Sequence, residues 1–298
     1  MQHQPILFII NKVAGKGFLP TVDEKILDIC VRYNTECSIE FTRSKGHATA
    51  LAQEGIAKGF KRIVAIGGDG TLNEVAQALV HTDITMGIVP KGSGNGLSRH
   101  LGIPMDFEKA VETIFTGHPI LMDTFLLNDH LSINVSGVGF DGHVANLFGK
   151  DGKRGLFGYI KLTIQEFFNF HEYKGSLLVD GKTHSIRAFI LAIANSTQYG
   201  NNARIAPLAS VTDHKLHITL LSKVPLYALL PFMLRFFSQR VYDSSYCQTL
   251  EGSTLHLSLE KAVAYHVDGE PTGSAQEFSI KVQPASLRML VPNPSAKI

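Results

Sequence analysis

With 298 residues, 18% of them charged, and a formal net charge of +2, the chain is long enough for one or two cored domains and carries no field that would select a nucleic acid. Its three cysteines, Cys30, Cys37 and Cys247, lack metal-ligand spacing and cannot all pair, which argues against a disulfide framework and for a reducing, cytoplasmic compartment. No apolar run has the length of a membrane span, and the start MQHQPILFII reads as a first strand, without the basic lead or cleavage signal of an export peptide.

Strand and helix patterns alternate through the first half. Pro5–Ile10 reads as a strand entering the glycine loop Asn11–Gly17, and a helix follows from about Val22 to Tyr33. Glu36–Phe41 is a second strand and Gly46–Lys58 a second helix. Arg62–Ile66 is a third strand, after which Leu72, Val75, Ala76 and Leu79 keep helical spacing. Thr85–Val89 enters Pro90–Gly96 and a further helical stretch, and a helix ends near Thr116. This alternation predicts a doubly wound parallel α/β sheet, in which ligands sit beyond the carboxyl ends of the strands. The loops NKVAGKG, TRSKGHA, GGDGT and KGSGNG all follow predicted strands, so they should gather on one edge as a single nucleotide site.

Gly67–Thr71 (GGDGT) is the most informative of these loops. Strand, glycine turn and helix set free backbone N–H groups and a helix dipole against an anion. Asp69 is the unusual member, because a carboxylate among phosphate-binding amides repels the ligand unless a divalent cation lies between them. The loop points to a magnesium–nucleotide more than to a bare dinucleotide; the plain alternative is a capped strand-to-helix turn. Thr71 and Glu74, three residues apart, fit a capping box at the helix start.

From about Leu126 short strands replace this rhythm. They fall at Leu131–Ser136, Gly175–Val179, Ile186–Ala194, Leu216–Leu221, Thr254–Leu259, Ala262–Val267 and Phe278–Val282, and they predict an antiparallel β-sandwich. The expected division is residues 1–125 and 126–298, with room for the last residues to return to the first domain. Two apolar helices interrupt the strands, Leu156–Phe170 and Leu226–Phe237. Both read as core-facing amphipathic helices. For the second, with Leu226, Leu229, Leu230, Met233, Leu234 and Phe237 on one face, the flanking cations Lys223, Arg235 and Arg240 leave a bilayer contact open.

GVGFDG at Gly137–Gly142 matches G-x-G-x-x-G in letters only. It lies in the β-rich half with no βαβ unit around it, so a dinucleotide site is not expected there. There is no Walker A sequence, and the thirteen histidines show no zinc-ligand spacing. Asp268-Gly269-Glu270 is open between a tight hairpin turn and an acid site, since Asp-Gly is a favoured turn pair. The chain's other VDG, at Val179–Gly181, reads as an ordinary turn. Only Glu270 sets the later one apart.

NKVAGKG, TRSKGHA, GGDGTLNEV, KGSGNGLSRHLGIP, INVSGVGFDG and HVDGE stand in the order found in the diacylglycerol kinase catalytic-domain family. From Asn11 to Glu270 the chain resembles the soluble bacterial lipid kinases of that family, relatives of sphingosine and ceramide kinases. The resemblance implies a nucleotide domain, a β-sandwich, and transfer of the ATP γ-phosphoryl group to a lipid hydroxyl with magnesium. By position, Asn11, Thr42, the loop Gly67, Gly68, Asp69, Gly70, Thr71, Leu72 and Asn73, and Ser93 would contact ATP. Lys16 matches a basic position that serves the phosphates, and Lys161 is a second candidate. Asp123 corresponds to an acid near the magnesium–nucleotide. Asp268 falls on the general base, with Glu270 beside it. A structural magnesium would be held by Asp213 and the carbonyls of Ser210 and Lys215.

The chain departs from the family pattern at Lys12, where proline is usual, and at Gly96, where many bacterial members carry Asp. Leu208 and His214 replace an acid and a glycine near the structural metal. The acceptor therefore stays open among diacylglycerol, a sphingoid base, ceramide or another lipid alcohol. An NAD kinase-like enzyme is the alternative, since that family shares GGDGT and a β-rich second half, and PTGSA at Pro271–Ala275 echoes its later signature. A catalytically silent nucleotide- or lipid-binding regulator is a third reading, against which the intact Asp69, Asp268 and Glu270 argue. A soluble lipid kinase must dock on a membrane, so reversible peripheral association of a cytoplasmic protein is expected; a homodimer stays open.

Overall fold

A computed structural model describes residues 3–15, 21–148, 156–238 and 240–293 of the chain. The chain divides into two units, Met1–Asp123 together with Pro284–Ile298, and Thr124–Gln283.

The first unit alternates strand and helix. In order it holds β1 (His3–Ile10), α1 (Val22–Arg32), β2 (Thr35–Phe41), α2 (His47–Ala57), β3 (Arg62–Gly67), α3 (Asp69–Leu79), β4 (Thr85–Pro90), α4 (Gly96–His100) and α5 (Phe107–Thr116), and the chain then enters β5 (His118–Leu127). The strands lie in the order β2-β1-β3-β4, all parallel. Ile6–Ile10 and Ile63–Ile66 are buried without interruption, the pattern of parallel strands covered on both faces. The helices supply that cover: α1 buries Val22, Ile26, Ile29 and Cys30, one stripe at helical spacing. The Asp106 side chain caps α5 by accepting from Lys109 N at 3.0 Å.

The predicted capping box does not form. Helix α3 begins at Asp69, with Gly68 as an extended N-cap and no side-chain cap, so Thr71 already sits inside the first turn. Its Oγ1 accepts from Asn11 Nδ2 at 2.9 Å. Glu74 turns to a neighbouring helix instead. Its two oxygens accept from Gly46 N at 2.8 Å and Ala48 N at 3.2 Å, supplying orphan amides at the start of α2, whose own cap residue is a glycine.

The second unit continues with β6 (His130–Ser132), β7 (Val135–Gly139), α6 (Phe140–Leu147), α7 (Leu156–Asn169), β8 (Tyr173–Val179), β9 (Lys182–Ala188), β10 (Ile190–Ala194), β11 (Leu216–Leu221), α8 (Leu226–Phe237), β12 (Cys247–Gly252), β13 (Thr254–Val267) and β14 (Glu270–Val291). Apart from the end of β14, these strands pair antiparallel and form the expected β-sandwich. Strand β13, predicted as two pieces, is one strand that pairs with β8 over Leu255–Leu259 and with β7 at Tyr265 and His266. Its register with β14 shifts between Ser258 and Val263, and such an irregularity bends a strand. Phe125, Tyr173, Leu257 and Phe278 lie in the core it encloses. At its far end β14 rejoins the first unit, where Arg288 and Met289 pair parallel with Thr85 and Met86 of β4.

The core-facing reading of Leu226–Phe237 holds for one stripe of the helix and fails for most of the face predicted to carry it. Of α8 only Phe232 is buried, with Ala228, Leu229 and Phe236 packed against the same cluster. Leu226, Leu230, Leu234 and Phe237 are 62%, 71%, 65% and 54% exposed. The helix is apolar all round, so hydropathy alone did not say which side faces inward. Helix α7 is mixed: Leu162 and Phe167 pack on Phe140, Val144 and Phe189, while Ile164 and Phe168 are exposed.

Candidate active site

In the first unit the strand order places β1 and β3 side by side, with β2 and β4 on opposite flanks. This is a topological switch point, and ligands of open α/β sheets bind outside the carboxyl ends of the strands there. Asn11 directly follows β1, and Gly67–Asp69 joins β3 to α3. Asn11 N donates to Ile66 O at 2.9 Å, Thr42 N to Ile10 O at 2.9 Å and Lys91 N to Gly67 O at 2.8 Å. Asn11 Oδ1 also accepts from Val13 N at 3.1 Å. A side chain on Gly92 would put its Cβ 2.6 Å from Gly68 Cα, and one on Gly15, at φ +68°, would put it 2.1 Å from Lys91 O. The three loops therefore meet backbone to backbone, which only glycine permits. Asn95, at φ 50°, closes the last loop by exchanging hydrogen bonds of 2.9 Å with Gly92 N and O.

Asn11, Thr42, Gly67, Gly68, Asp69, Gly70 and Thr71 are thus gathered at one edge, with Ser93 on the adjoining loop. The α3 N-terminus, which has no side-chain cap, turns its first amides and its dipole toward this edge, the arrangement that suits an anion. Leu72 is a correction: it is fully buried, and its N–H is used on Gly68 O at 3.1 Å, so it is a core residue. Asn73 Oδ1 accepts from Gln77 Nε2 at 2.7 Å along the helix. Lys16 lies outside the described residues. Lys161 is an exposed residue of α7. Lys91 was not singled out by sequence, although KGSGNG contains it; burial lowers its ammonium below the usual lysine value.

The acids proposed for metal divide into two kinds. Asp69, in the first turn of α3, fits a cation carried on nucleotide phosphates, which needs only one or two protein carboxylates. Asp123 is fully buried, and its Oδ1 accepts from Ala285 N at 2.7 Å, tying down a non-glycine residue at φ 48°. Asp213 Oδ1 accepts from Lys215 N at 3.1 Å, and its Oδ2 faces His217 Nε2 at 3.3 Å. Ser210 Oγ lies 3.4 Å from Thr212 Oγ1. Among the described residues no group of three or more His, Cys, Asp or Glu side chains could hold a metal. Of the set proposed for a structural magnesium, Asp213 with the carbonyls of Ser210 and Lys215, only Asp213 brings a carboxylate, and one of its oxygens is already bonded to Lys215 N.

In the second unit Asp268 and Gly269, at φ 50° and 86°, form the two-residue turn between β13 and β14. Asp180 and Gly181, at 44° and 85°, form the same turn between β8 and β9. Positive φ at both central positions is the type I′ hairpin geometry. Both carboxylates also grip backbone. Asp180 Oδ1 accepts from Ser253 N, Ser253 Oγ and Thr254 N at 3.1, 3.0 and 2.9 Å. Asp268 Oδ1 accepts from Ser132 Oγ at 2.6 Å and Asn134 N at 3.0 Å, and Oδ2 from Ile133 N at 2.9 Å. What separates them is burial, not Glu270: Asp180 and Glu270 are exposed, whereas Asp268 is 7% exposed. The amides of Ile133 and Asn134 that serve Asp268 are also where the predicted strand Leu131–Ser136 breaks into β6 and β7. Behind them Ser136 Oγ donates to Ser132 Oγ at 2.9 Å, Asn195 Nδ2 to Ile133 O at 3.3 Å, and Ser196 Oγ to Asn134 Oδ1.

GVGFDG runs from β7 into α6, but β7 pairs antiparallel with β10 and β13. Its glycines serve packing. A Cβ on Gly137 would lie 1.9 Å from Asp141 Oδ2, and one on Gly142 would lie 2.5 Å from Tyr265 Cα. The Asp141 carboxylate accepts from Tyr199 OH at 2.8 Å and Gly142 N at 2.9 Å, and it faces His266 Nε2 at 3.2 Å. Sequence reasoning missed this cluster. Its only signals were the letters Phe-Asp-Gly and the histidine two residues before Asp268.

Residues 5–127 match the family described as diacylglycerol kinase catalytic domain, and residues 134–291 match the YegS C-terminal NAD kinase beta sandwich-like domain. The chain belongs to the diacylglycerol kinase catalytic-domain family. Membership makes it an ATP-dependent kinase by class. A Chromohalobacter salexigens protein named probable lipid kinase YegS-like is 26% identical over 265 residues, spanning 87% of this chain and 85% of its own. The uncharacterized protein sll0036 of Synechocystis is 30% identical over 306 residues, 95% of this chain and 69% of that one. A crystal structure described as a diacylglycerol kinase of Bacillus anthracis shares the fold, with a TM-score of 0.78, 22% identity and 98% of each chain covered.

Proposed function

We propose that this kinase transfers the γ-phosphoryl group of magnesium–ATP to the hydroxyl of a lipid, with Asp268 as general base. The observation that carries the reading is the Asp268 carboxylate, which is buried and held in one orientation by Ser132, Ile133 and Asn134, while the same turn at Asp180 spends its acid at the surface. The α3 amides after Gly68 cradle the phosphates, and Asp69 would hold the metal that arrives with the nucleotide. Magnesium, when bound, neutralises charge on the transferring group. A lipid hydroxyl is a weak nucleophile; Asp268 orients it and takes its proton as the oxygen attacks the γ-phosphorus, and ADP departs with the electrons of the broken P–O bond. Glu270, exposed beside the turn, adds a second negative charge.

Contact with the bilayer belongs to α8. Its exposed Leu226, Leu230, Leu234 and Phe237 form an apolar face with Arg235 and Arg240 nearby, a composition suited to reversible binding at an anionic membrane surface. Lys223, also expected at this rim, donates instead to Phe170 O at 2.7 Å and Phe168 O at 3.3 Å. No helix among the described residues is long and apolar enough to cross a membrane. Flotation with anionic liposomes should fall for Leu230→Asp and Arg235→Glu; flotation equal to wild type in both would exclude this helix as the contact.

Label transfer from ATP to diacylglycerol, sphingosine and ceramide in mixed micelles, with NAD in parallel, tests the activity and names the acceptor class. Label on a lipid supports the reading. Label on NAD alone would replace it with the NAD kinase-like one, and ATP binding without any transfer would favour a silent binder.

A further inference from the structure

We propose that His266 and Asp141 are positioning residues, which hold the Asp268 turn through a single tautomer of the His266 ring. This rests on the reading of Asp268 as the base. His266 Nδ1 lies 3.1 Å from Gly269 N, the amide that follows Asp268. A backbone N–H can only donate, so Nδ1 must be the bare nitrogen and the ring proton must sit on Nε2. That nitrogen faces Asp141 Oδ2 at 3.2 Å. Asp141 is fixed in turn by Tyr199 OH and Gly142 N. The ring and the carboxylate are 4% and 12% exposed, so neither is free to re-pair with water. Gly137 passes beneath the pair, where a Cβ would lie 2.8 Å from His266 Nε2 and closer still to Asp141; the strand is shaped to admit them.

The chain of contacts runs from Tyr199 through Asp141 and His266 to Gly269, and it ends on the peptide that carries the base. Asp268 is thus held at its carboxylate by Ser132 of β6 and by Ile133 and Asn134, and at its backbone by Ser136 Oγ, which accepts from Asp268 N at 3.4 Å, and by His266 through the next amide. The other tautomer, with its proton on Nδ1, would set an N–H against the Gly269 N–H and release the turn.

Three substitutions at one position separate the two ring contacts. Asparagine places an amide oxygen near the Nδ1 position and keeps the acceptor for Gly269, whereas glutamine places an amide nitrogen near Nε2 and keeps only the donor to Asp141. Phenylalanine keeps the volume and neither contact. We expect His266→Phe and His266→Gln to lose about 100-fold in kcat, the scale of a small misplacement of a catalytic group. Their KM for ATP should stay unchanged, and His266→Asn should retain most of the rate. Asp141→Asn, which keeps an acceptor for Nε2–H, should be milder than Asp141→Leu. In an Asp268→Asn background His266→Phe should cost little more, because both changes act on one unit.

Equal losses in His266→Asn and His266→Gln, or full rates in all three variants alongside a dead Asp268→Asn, would overturn the positioning role and leave the base reading intact. Full activity in Asp268→Asn would instead overturn the base reading. The tautomer stands on its own measurement, in the wild-type protein: imidazole ¹⁵N shifts must show a bare Nδ1 and a protonated Nε2, with the Gly269 amide resonance moving in His266→Phe and not in His266→Asn. A proton on Nδ1 would overturn the proposal outright.

Discussion

Asp180 and Asp268 sit in the same kind of Asp-Gly turn and each braces a neighbouring segment with its carboxylate, one at the surface and the other buried; the proposal gives only the buried one a part in catalysis. The Thr254 amide, and after it the Ser253 amide and hydroxyl, hold the Asp180 carboxyl below its usual value. A carboxylate lowered in the folded state stabilises the fold above the ordinary carboxylate range and ceases to do so as pH falls through its folded value. Asp180→Ala should therefore cost about 1 kcal/mol at neutral pH and leave transfer untouched. The gap in melting temperature from wild type should close in acid; a gap that persists there would contradict the assignment. Asp69→Ala should weaken magnesium–ATP binding, and unchanged nucleotide affinity by calorimetry would count against Asp69 as the metal's carboxylate. The place of Asp69 between β3 and α3 was legible from sequence because its loop is local. The special standing of Asp268 was only half legible: the pair Asp-Gly announced the turn, but the amides that grip it belong to Ile133 and Asn134, more than 130 residues earlier in the chain.

Elements were legible where hydrophobic period decides and illegible where a partner does. Helix α1 and strand β11 fall within a residue of their predicted spans because their apolar residues keep one period. The predicted strand Ile186–Ala194 breaks at Phe189, whose N donates to Leu221 O at 2.7 Å and whose O accepts from Phe140 N at 2.9 Å; no local pattern shows those demands. Glu260 and Lys261 look like a turn and are exposed residues beside the register shift of β13. Thr71 and Glu74 fit a capping box in spacing, yet the glycine before Asp69 starts the helix early. Glu74 then serves the start of α2, so Glu74→Ala should destabilise the protein by about 1 kcal/mol, the ordinary cost of a lost cap. Urea denaturation measures it, and a midpoint equal to wild type would show those amides equally well served by water. Helix α8 teaches the reverse lesson: its span is as predicted, but with apolar residues on every side its inward stripe of Leu229, Phe232 and Phe236 is set by the sheet it meets.

At the scale of the molecule, alternation of strand and helix was enough to predict a doubly wound sheet followed by a sandwich. The order β2-β1-β3-β4, which creates the switch point beside Asn11 and Gly67, is a property of crossovers that periodicity does not encode. Nor does it encode the pairing of Arg288 and Met289 with β4: a return of the last residues to the first domain could be left open from the sequence, but not the strand they meet. The family match and the convergent glycine loops agree on an ATP-dependent kinase, and the acceptor is what the proposal adds. The most direct test compares wild type, Asp268→Asn and Asp180→Asn for ATP affinity and for label transfer to lipid in micelles. The account predicts that all three bind ATP alike, that wild type and Asp180→Asn transfer the phosphoryl group, and that Asp268→Asn does not. Undiminished transfer by Asp268→Asn would contradict it.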